Sequence, residues 1–324
     1  MKTEAMIVTA MVFFTVVWSS YSYMNKEESE EVADDKVTFP PDASFECFIH
    51  DDLERCWILY VPDTLETNST VPLIVDMHGI TKNAHDQYLM TDMDRIAREN
   101  NAIVIYPDGW GNSWNFGPCC DPALEEGIDD FGFIHKLVNH TLQEYPIDSN
   151  RIYATGWSNG CGMSQSLANR QSDVFAAVAC MSMYYLDESD DPNYSPIPIM
   201  EIHGTLDPIV PYTSTVATGI IFAGQLWDTG ALQNLYTWKD KNECSGTLPE
   251  YSEVTTFYNI QGFTDCTNNA EVSLVTLNFA AHNVYSKDTD GSSGNQGTVD
   301  TCLLYTSDAA DDTPCVDLGG RRII

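Results

Sequence analysis

The chain has 324 residues, of which 43% are apolar, and a formal net charge of −33 at pH 7. This length and apolar content suffice for one large α/β domain with a packed core. Nucleic acids and anionic membranes are recognised through basic patches, so the charge argues against both as partners.

The N-terminus has the pattern of a secretory signal. The apolar run Met6–Trp18 follows Lys2 and precedes small residues near Ser22. The run is too short to span a bilayer, which takes about 20 residues. We therefore predict a signal peptide over residues 1–22 and secretion, with a signal anchor as the alternative because Glu4 lies before the run. The acidic stretch that follows is predicted to be a disordered leader over residues 23–44.

Alternating strand and helix patterns fill residues 45–301, which we predict to be one domain. Several strand-like runs are continuously apolar, as buried parallel strands are. The order predicts an α/β fold, a doubly wound, mostly parallel sheet with helices on both faces. The predicted strands are Trp57–Val61, Leu73–Met77, Ala102–Tyr106, Arg151–Thr155, Ala176–Ala179, Ile197–Ile202 and Val272–Phe279, and the helices are Tyr88–Asn100, Ile128–Glu144 and Gly162–Arg170. The stretch Pro208–Asp265 looks irregular.

The last residues, 302–324, have a different origin from the domain. The pieces "CLLYTSDAAD" and "VDLGGRRII" match the conceptual translation of the two ends of a sequencing adapter. We therefore expect this tail to be an artefact, and the natural chain to continue past Thr301.

Two of the ten cysteines lie in that tail, which leaves eight behind the predicted signal peptide. Cys47 and Cys56 flank a turn-like segment, and Cys244 and Cys266 flank a turn-rich insert, so each pair is predicted to form a disulfide. Cysteines 119, 120, 161 and 180 allow three pairings, which stay open. No Cys-x₂-Cys pair is present, so no metal site is expected. Sequons at Asn68, Asn139 and Asn193 fit a secreted glycoprotein.

The segment "RIYATGWSNG" contains the pattern Gly-x-Ser-x-Gly, centred on Ser158. A predicted strand precedes it and a predicted helix follows it, which is the context in which this pattern forms a sharp turn that exposes a nucleophilic serine. Glycines two residues before and after are needed because the turn leaves no room for side chains. The pattern therefore favours Ser158 as a nucleophile over a serine in an ordinary turn.

A serine nucleophile needs a base and an orienting acid, which in α/β-hydrolases follow in the order Ser, Asp or Glu, His. Asp207 and His282 each lie just after a predicted strand, so we predict the triad Ser158–Asp207–His282. His203 is predicted to shape the turn that carries Asp207. Asp187 and Asp228 are rival acids. The oxyanion hole is predicted to use the backbone amides of Asn159 and of Ile80, which follows the strand ending in "DMHG".

With these segments the chain resembles the family one carbohydrate esterases. These are secreted esterases that include polyhydroxybutyrate depolymerases and feruloyl esterases. The pieces that carry the resemblance occur in the family's order: "DMHG", "YPDGWGNSWNFGPCCDPA", "IDDFGFI", "RIYATGWSNG", "DVFAAVA" and "EIHGTLDPIVPY". The resemblance implies the α/β-hydrolase fold, ester hydrolysis without a cofactor, and the same triad. It also implies that Trp114 lines the substrate pocket, beside Trp157; a packing role is the alternative for Trp114.

The chain departs from the family pattern at three places. Cys161 stands where a second glycine usually follows the serine motif, Ile80 where cysteine is common, and Asn283 begins a segment that usually reads Thr-Trp-Pro-Gly. The last departure puts substrate preference in doubt. We expect a monomeric, secreted serine carboxylesterase acting on feruloyl-type esters of plant or algal polysaccharide. A polyhydroxybutyrate depolymerase or acetyl-xylan esterase is the alternative, and an inactive carbohydrate-binding relative is the non-enzyme alternative.

Overall fold

The computed structural model describes residues 41–65, 70–91, 93–187, 189, 191–213, 220–222, 225–227 and 229–285, which belong to one unit beginning at Pro41. The strands are β1 (Ala43–His50), β2 (Leu53–Tyr60), β3 (Val71–Met77), β4 (Ile103–Pro107), β5 (Ile147–Gly156), β6 (Ala177–Met181), β7 (Ile199–Gly204), β8 (Ile220–Phe222), β9 (Gln225–Trp227), β10 (Glu250–Val254), β11 (Tyr258–Phe263) and β12 (Val272–Leu277). The α-helices are α1 (Ala84–Met90), α2 (Met93–Asn100), α3 (Asp130–Glu144), α4 (Asn159–Arg170) and α5 (Ala231–Lys241).

Ten of these strands form one sheet, in the order β1-β2-β4-β3-β5-β6-β7-β12-β11-β10. The six central strands, from β4 to β12, run parallel, and antiparallel strands complete both edges. Strands β8 and β9 pair separately. Because the central strands are parallel, their carboxyl ends meet along one edge of the sheet, and the loops that follow them lie together there.

Both faces of the sheet are covered. Successive strand residues point to opposite faces, and in β12 Leu274 belongs to the larger hydrophobic cluster while Val275 belongs to a second one. Side chains of α3, α4 and α5 contribute to the larger cluster. On β3, Asp76 points away from that cluster and accepts a hydrogen bond from Gln87 of α1. Helices therefore lie on both faces, as the sequence predicted.

The predicted strands are found with their bounds shifted by two residues at most, except that β2 and β5 each begin four residues earlier, at Leu53 and Ile147. The predicted single helix Tyr88–Asn100 is wrong, because the chain forms two helices separated at Thr91, whose backbone is extended (φ −105°, ψ 145°). The hydroxyl of Thr91 donates to Asp76 (2.7 Å), so the residue between the two helices is bonded to β3.

Two regions differ from the sequence prediction. The leader predicted over residues 23–44 is too long, because β1 begins at Ala43, which pairs with Tyr60 in an antiparallel hairpin. The stretch predicted to be irregular contains α5 and the antiparallel pair β10–β11. The signal peptide, the leader up to residue 40, the tail 302–324 and the sequon at Asn68 lie outside the described residues.

The cysteines pair as predicted where the sequence allowed a prediction. Disulfides join Cys47 to Cys56 across the β1–β2 hairpin and Cys244 to Cys266 at the base of the β10–β11 insert. The four cysteines whose pairing stayed open form the bonds 119–120 and 161–180.

Candidate active site

Ser158 occupies the turn between β5 and α4 with a left-handed backbone (φ 54°, ψ −119°). Residues other than glycine rarely adopt this conformation, and where they do the strain is often part of a functional site. The turn is held by the backbone amide of Ser158, which donates to the carbonyl of Met181 on the neighbouring strand β6 (2.8 Å). This is the sharp strand-to-helix turn that the sequence predicted.

The two glycines of the motif are required by the close approach of β3. A Cβ atom on Gly156 would lie 2.6 Å from the carbonyl oxygen of Met77, and one on Gly160 would lie 2.1 Å from the same atom. Both distances are well inside van der Waals contact, so any side chain here would push β3 away from the turn. The Ser158 turn and the end of β3 are therefore fixed against each other.

Asp207 and His282 meet at the carboxyl ends of β7 and β12. The His282 ring nitrogen Nδ1 lies 2.6 Å from Asp207 Oδ2, and Asp207 is 5% exposed. A carboxylate can only accept here, so Nδ1 carries the proton and Nε2 is left as the acceptor. This is the tautomer that a general base needs in order to take a proton from a serine hydroxyl.

The Asp207 carboxylate is fixed by its own loop. Its Oδ1 accepts hydrogen bonds from the amides of Ile209 and Val210, both 2.8 Å long. His203 contacts the same loop, since its Nε2 lies 2.8 Å from the Val210 carbonyl oxygen and 3.5 Å from Asp207 Oδ2. His203 therefore lies where it can shape this turn, as predicted.

The rival acids lie elsewhere or outside the described residues. Asp187 forms an ion pair with Arg170 at the end of α4, in which Asp187 Oδ2 lies 2.5 Å from Arg170 Nε. Asp228 lies outside the described residues.

Trp157 connects the serine turn to the histidine loop. Its ring centroid lies 5.1 Å from that of His282, and its backbone amide donates to the Met77 carbonyl (3.2 Å). Ser158 is the next residue in the chain, so the nucleophile candidate and the base candidate come to the same edge of the sheet. Trp157, which was predicted to contact substrate, therefore lies beside the candidate base His282.

The loop after β3 approaches the same point. A Cβ atom on Gly79 would lie 2.6 Å from the Trp157 ring and 3.4 Å from Ser158 Cβ, so this loop passes directly over the serine turn. Among the described residues, the backbone amides of Ile80 and Asn159 make no backbone hydrogen bond, whereas the following amide, of Thr81, donates to the Asn112 carbonyl (2.8 Å). Two amides predicted for the oxyanion hole thus remain available in adjacent loops.

His78 locks the backbone of this loop. The ring is completely buried, with Nδ1 2.8 Å from the Gly79 carbonyl oxygen and Nε2 accepting from the Gly109 amide (2.8 Å). Burial lowers the pKa of His78 to about 4, although the bond to Gly79 opposes the change. The neutral ring, protonated on Nδ1, holds the Gly79 carbonyl and thereby orients the peptide that carries the Ile80 amide.

Trp114 does not line an open pocket, contrary to the prediction. Its side chain has no exposed surface, and its indole nitrogen donates to the His78 carbonyl (2.9 Å). Its backbone amide donates to the Asn159 side-chain oxygen (2.7 Å). Trp114 therefore belongs to the core and contacts both segments of the candidate oxyanion hole. Its apolar ring is buried, and its single polar atom, the indole nitrogen, still finds a hydrogen-bond partner.

Two supporting residues escaped the sequence prediction. His78 and Glu201 carry no predicted role in the site. Glu201 lies two residues before His203 on β7, and residues two apart on a strand share a face. That spacing, with a carboxylate and an imidazole on a strand that precedes Asp207, was the available signal.

The remaining predicted sites are two glycosylation sequons, at Asn139 on α3 and at Asn193 in a turn. Both asparagines are exposed.

Comparison with known proteins identifies the family of this chain. A family model described as "Esterase PHB depolymerase" matches residues 55–219, which is half of the chain and includes the Ser158 turn, the β3 loop and Asp207. The chain belongs to this family. His282 lies beyond the matched residues, so its placement in the site depends on the contact with Asp207.

Curated relatives of this family member include two feruloyl esterases. Feruloyl esterase B of Piromyces equi is 28% identical over 233 residues, covering 69% of this chain and 42% of that protein. Feruloyl esterase B of Thermothelomyces thermophilus is 36% identical over 126 residues, covering 38% of this chain and 42% of that protein. The chain thus matches less than half the length of these relatives.

A solved structure supports the fold. The acetyl xylan esterase from Aspergillus awamori superposes with a TM-score of 0.56 at 17% identity, over 74% of this chain and 94% of that one. The protein therefore has the predicted α/β-hydrolase fold. Within the described residues, none of the helices combines the length and apolar character that crossing a membrane requires.

Proposed function

We propose that this protein is a secreted serine carboxylesterase in which Ser158, His282 and Asp207 act as the catalytic triad. The observation that carries the proposal is the Asp207–His282 hydrogen bond of 2.6 Å, at the same edge of the sheet as a serine held in a strained turn. The carboxylate orients the imidazole so that Nε2 can accept a proton, which is the arrangement that activates a serine hydroxyl.

The reaction follows from these positions. The Ser158 hydroxyl attacks the ester carbonyl carbon while its proton passes to His282 Nε2. Asp207 stabilises the imidazolium that forms, and the amides of Ile80 and Asn159 stabilise the oxyanion. Collapse of the intermediate expels the alcohol, which takes the proton from His282, and leaves an acyl-enzyme. Water then repeats the sequence with the ester bond to Ser158, releasing the acid.

We propose feruloyl-type esters of plant or algal polysaccharide as substrates. Support comes from the feruloyl esterases among the relatives, such as those of Piromyces equi and Thermothelomyces thermophilus. The predicted signal peptide supports secretion, where such polymers are found. The net charge of −33 also disfavours polyanionic substrates, because an anionic polymer would be repelled by the protein's field.

The test is hydrolysis of an ester panel (methyl ferulate, p-nitrophenyl acetate and a polyhydroxybutyrate film) by the full chain and by Ser158→Ala. The variant should lose at least about 10³-fold in kcat. Ser166→Ala is the matched control and should keep its activity. It also removes a buried serine hydroxyl, one on α4 that makes only a long hydrogen bond (3.5 Å) to the Phe116 carbonyl. A wild-type chain that binds polysaccharide but hydrolyses none of the esters would be an inactive relative, and the proposal would fail.

A further inference from the structure

Behind Asp207 lies a second acid–imidazole pair that the proposed triad does not use. Glu201 Oε1 lies 2.6 Å from His203 Nδ1, and both side chains are buried. On its other side, His203 Nε2 lies 2.8 Å from the Val210 carbonyl oxygen and 3.5 Å from Asp207 Oδ2. The four side chains therefore form a continuous line, in the order Glu201, His203, Asp207 and His282.

One hydrogen bond fixes the proton on His203 Nε2. The Val210 carbonyl can only accept, so His203 Nε2 must carry a proton. Glu201 Oε2 accepts from the side-chain amide of Asn234 (2.5 Å), and the orientation of that amide is set because its oxygen accepts from the Tyr185 backbone amide (2.9 Å). A carboxylate that already accepts at one oxygen is best matched by a donating Nδ1 at the other. This arrangement accommodates a doubly protonated imidazolium paired with a carboxylate.

Charge balance gives the same answer. Glu201 and Asp207 are both buried and flank one imidazole, so a neutral ring would leave two carboxylates close together at low dielectric, which is costly. Burial raises the pKa of Glu201 against the effect of the His203 bond. Burial also lowers the pKa of His203, but the bond to Glu201 and the charges of Glu201 and Asp207 outweigh it and raise the pKa overall.

The other titratable groups facing His203 stay neutral. Tyr184 stacks on the ring (5.2 Å between centroids), and Tyr212 meets it edge-on (5.8 Å). Tyr285 lies close to Asp207 on the second hydrophobic cluster. Burial raises the pKa of each of these phenols above its ordinary value, so they contribute no charge in the range where esterases work.

We propose that Glu201 and His203 are a positioning pair whose positive end, at His203, holds the Asp207 loop and restrains the proton affinity of the Asp207–His282 couple. This inference rests on the proposed esterase function for its kinetic consequence. The positive end lies nearer to Asp207 than the negative end does, so the pair disfavours an additional proton on His282.

Glu201→Gln is a sharp test because the replacement amide can keep every hydrogen bond. Its oxygen can accept from Asn234, and its nitrogen can donate to an unprotonated His203 Nδ1, while Nε2 still donates to Val210. The variant should therefore fold but hold His203 neutral. With the positive end gone, the apparent pKa of the acid limb of kcat/KM should rise by about half a pH unit. Asp187→Asn, another buried carboxylate-to-amide change, is the matched control and should leave the acid limb in place.

A direct readout separates this inference from the esterase proposal. In ¹⁵N-histidine NMR at pH 8, wild-type His203 should show both ring nitrogens protonated, and Glu201→Gln should show only Nε2 protonated. A neutral His203 in the wild type, or an acid limb that does not move in Glu201→Gln, would overturn the pair's role. If the wild type hydrolyses no ester, the proposed function fails, and the NMR result still decides whether the imidazolium exists.

Discussion

Asp76 is a buried carboxylate without a cationic partner in its hydrogen bonds, and replacing it with Asn tests how the fold tolerates that charge. Its side chain is fully buried in β3 and accepts from Gln87 Nε2 and from the Thr91 hydroxyl, both at 2.7 Å. Both donors are neutral. Burial raises the pKa of Asp76 from 3.8 to about 6, even though the two hydrogen bonds lower it.

The difference between these pKa values sets the expected size of the effect. It corresponds to about 3 kcal/mol at a pH above both values. Because the folded-state pKa is the higher one, the stability linked to this proton is fully present below about 3.8 and is lost as the pH rises through about 6. At pH 8 the native state carries the whole cost of an ionised buried carboxylate.

Asp76→Asn removes that charge and can retain the hydrogen bonds. The new oxygen accepts from Gln87, and the new amide donates to the Thr91 hydroxyl oxygen, whose own proton can go to the Gln87 carbonyl (3.0 Å). We expect the variant to be more stable than the wild type by about 1–3 kcal/mol at pH 8, and to show little difference at pH 4. Urea unfolding at pH 4, 6 and 8 measures both values.

Asp130→Asn is the matched control. Asp130 is equally buried, but it pairs with buried Arg55 at 2.6 Å. Its replacement leaves the guanidinium uncompensated and should cost about 3–5 kcal/mol. An Asp76→Asn protein less stable than the wild type at pH 8, or a difference that does not change with pH, would refute the assignment of an uncompensated charge to Asp76.

Two further outcomes follow from local geometry. Gly79→Ala should lower kcat/KM of the proposed esterase by roughly 10²-fold. The new Cβ would lie 2.6 Å from the Trp157 ring and would displace the loop that carries the Ile80 amide. A variant with wild-type kinetics would show that this loop is not part of the site. Glycan mapping of the secreted protein should find Asn193 more fully occupied than Asn139. The Asn139 sequon lies in α3, where the hydroxyl of Thr141 is buried and bonded to the helix backbone. The reverse order of occupancy would contradict this reasoning.

The sequence alone predicted the parallel core of the sheet and the candidate catalytic residues at its edge. Continuous apolar runs identify buried strands without any tertiary information, because both faces of such strands must be covered. The serine turn is equally local, since the two glycines report a lack of space that any such strand-to-helix turn creates. The convergence of Asp207 and His282, each placed just after a strand, was predicted because parallel strands end at one edge of the sheet.

The antiparallel edges and α5 depended on the tertiary structure. Helix α5 buries Ala231, Leu235 and Trp238 at helical spacing, but polar Asn234 lies on the same face and obscures the pattern. Asn234 can be buried there because its amide bonds to Glu201 and Gln165 from other elements. A single-sequence pattern cannot show such partners, because they are separated along the chain.

Roles that depend on long-range packing were decided only by the fold. The family resemblance implied that Trp114 lines the substrate pocket, with a packing role as the alternative, and in the structure the β3 loop and Asn159 enclose it from two sides. The pairing of the four central cysteines was open for the same reason. Glu201 and His203 share a strand face by sequence alone, but their connection to Asp207 exists only because the loop after β7 folds back and places the Val210 carbonyl on His203.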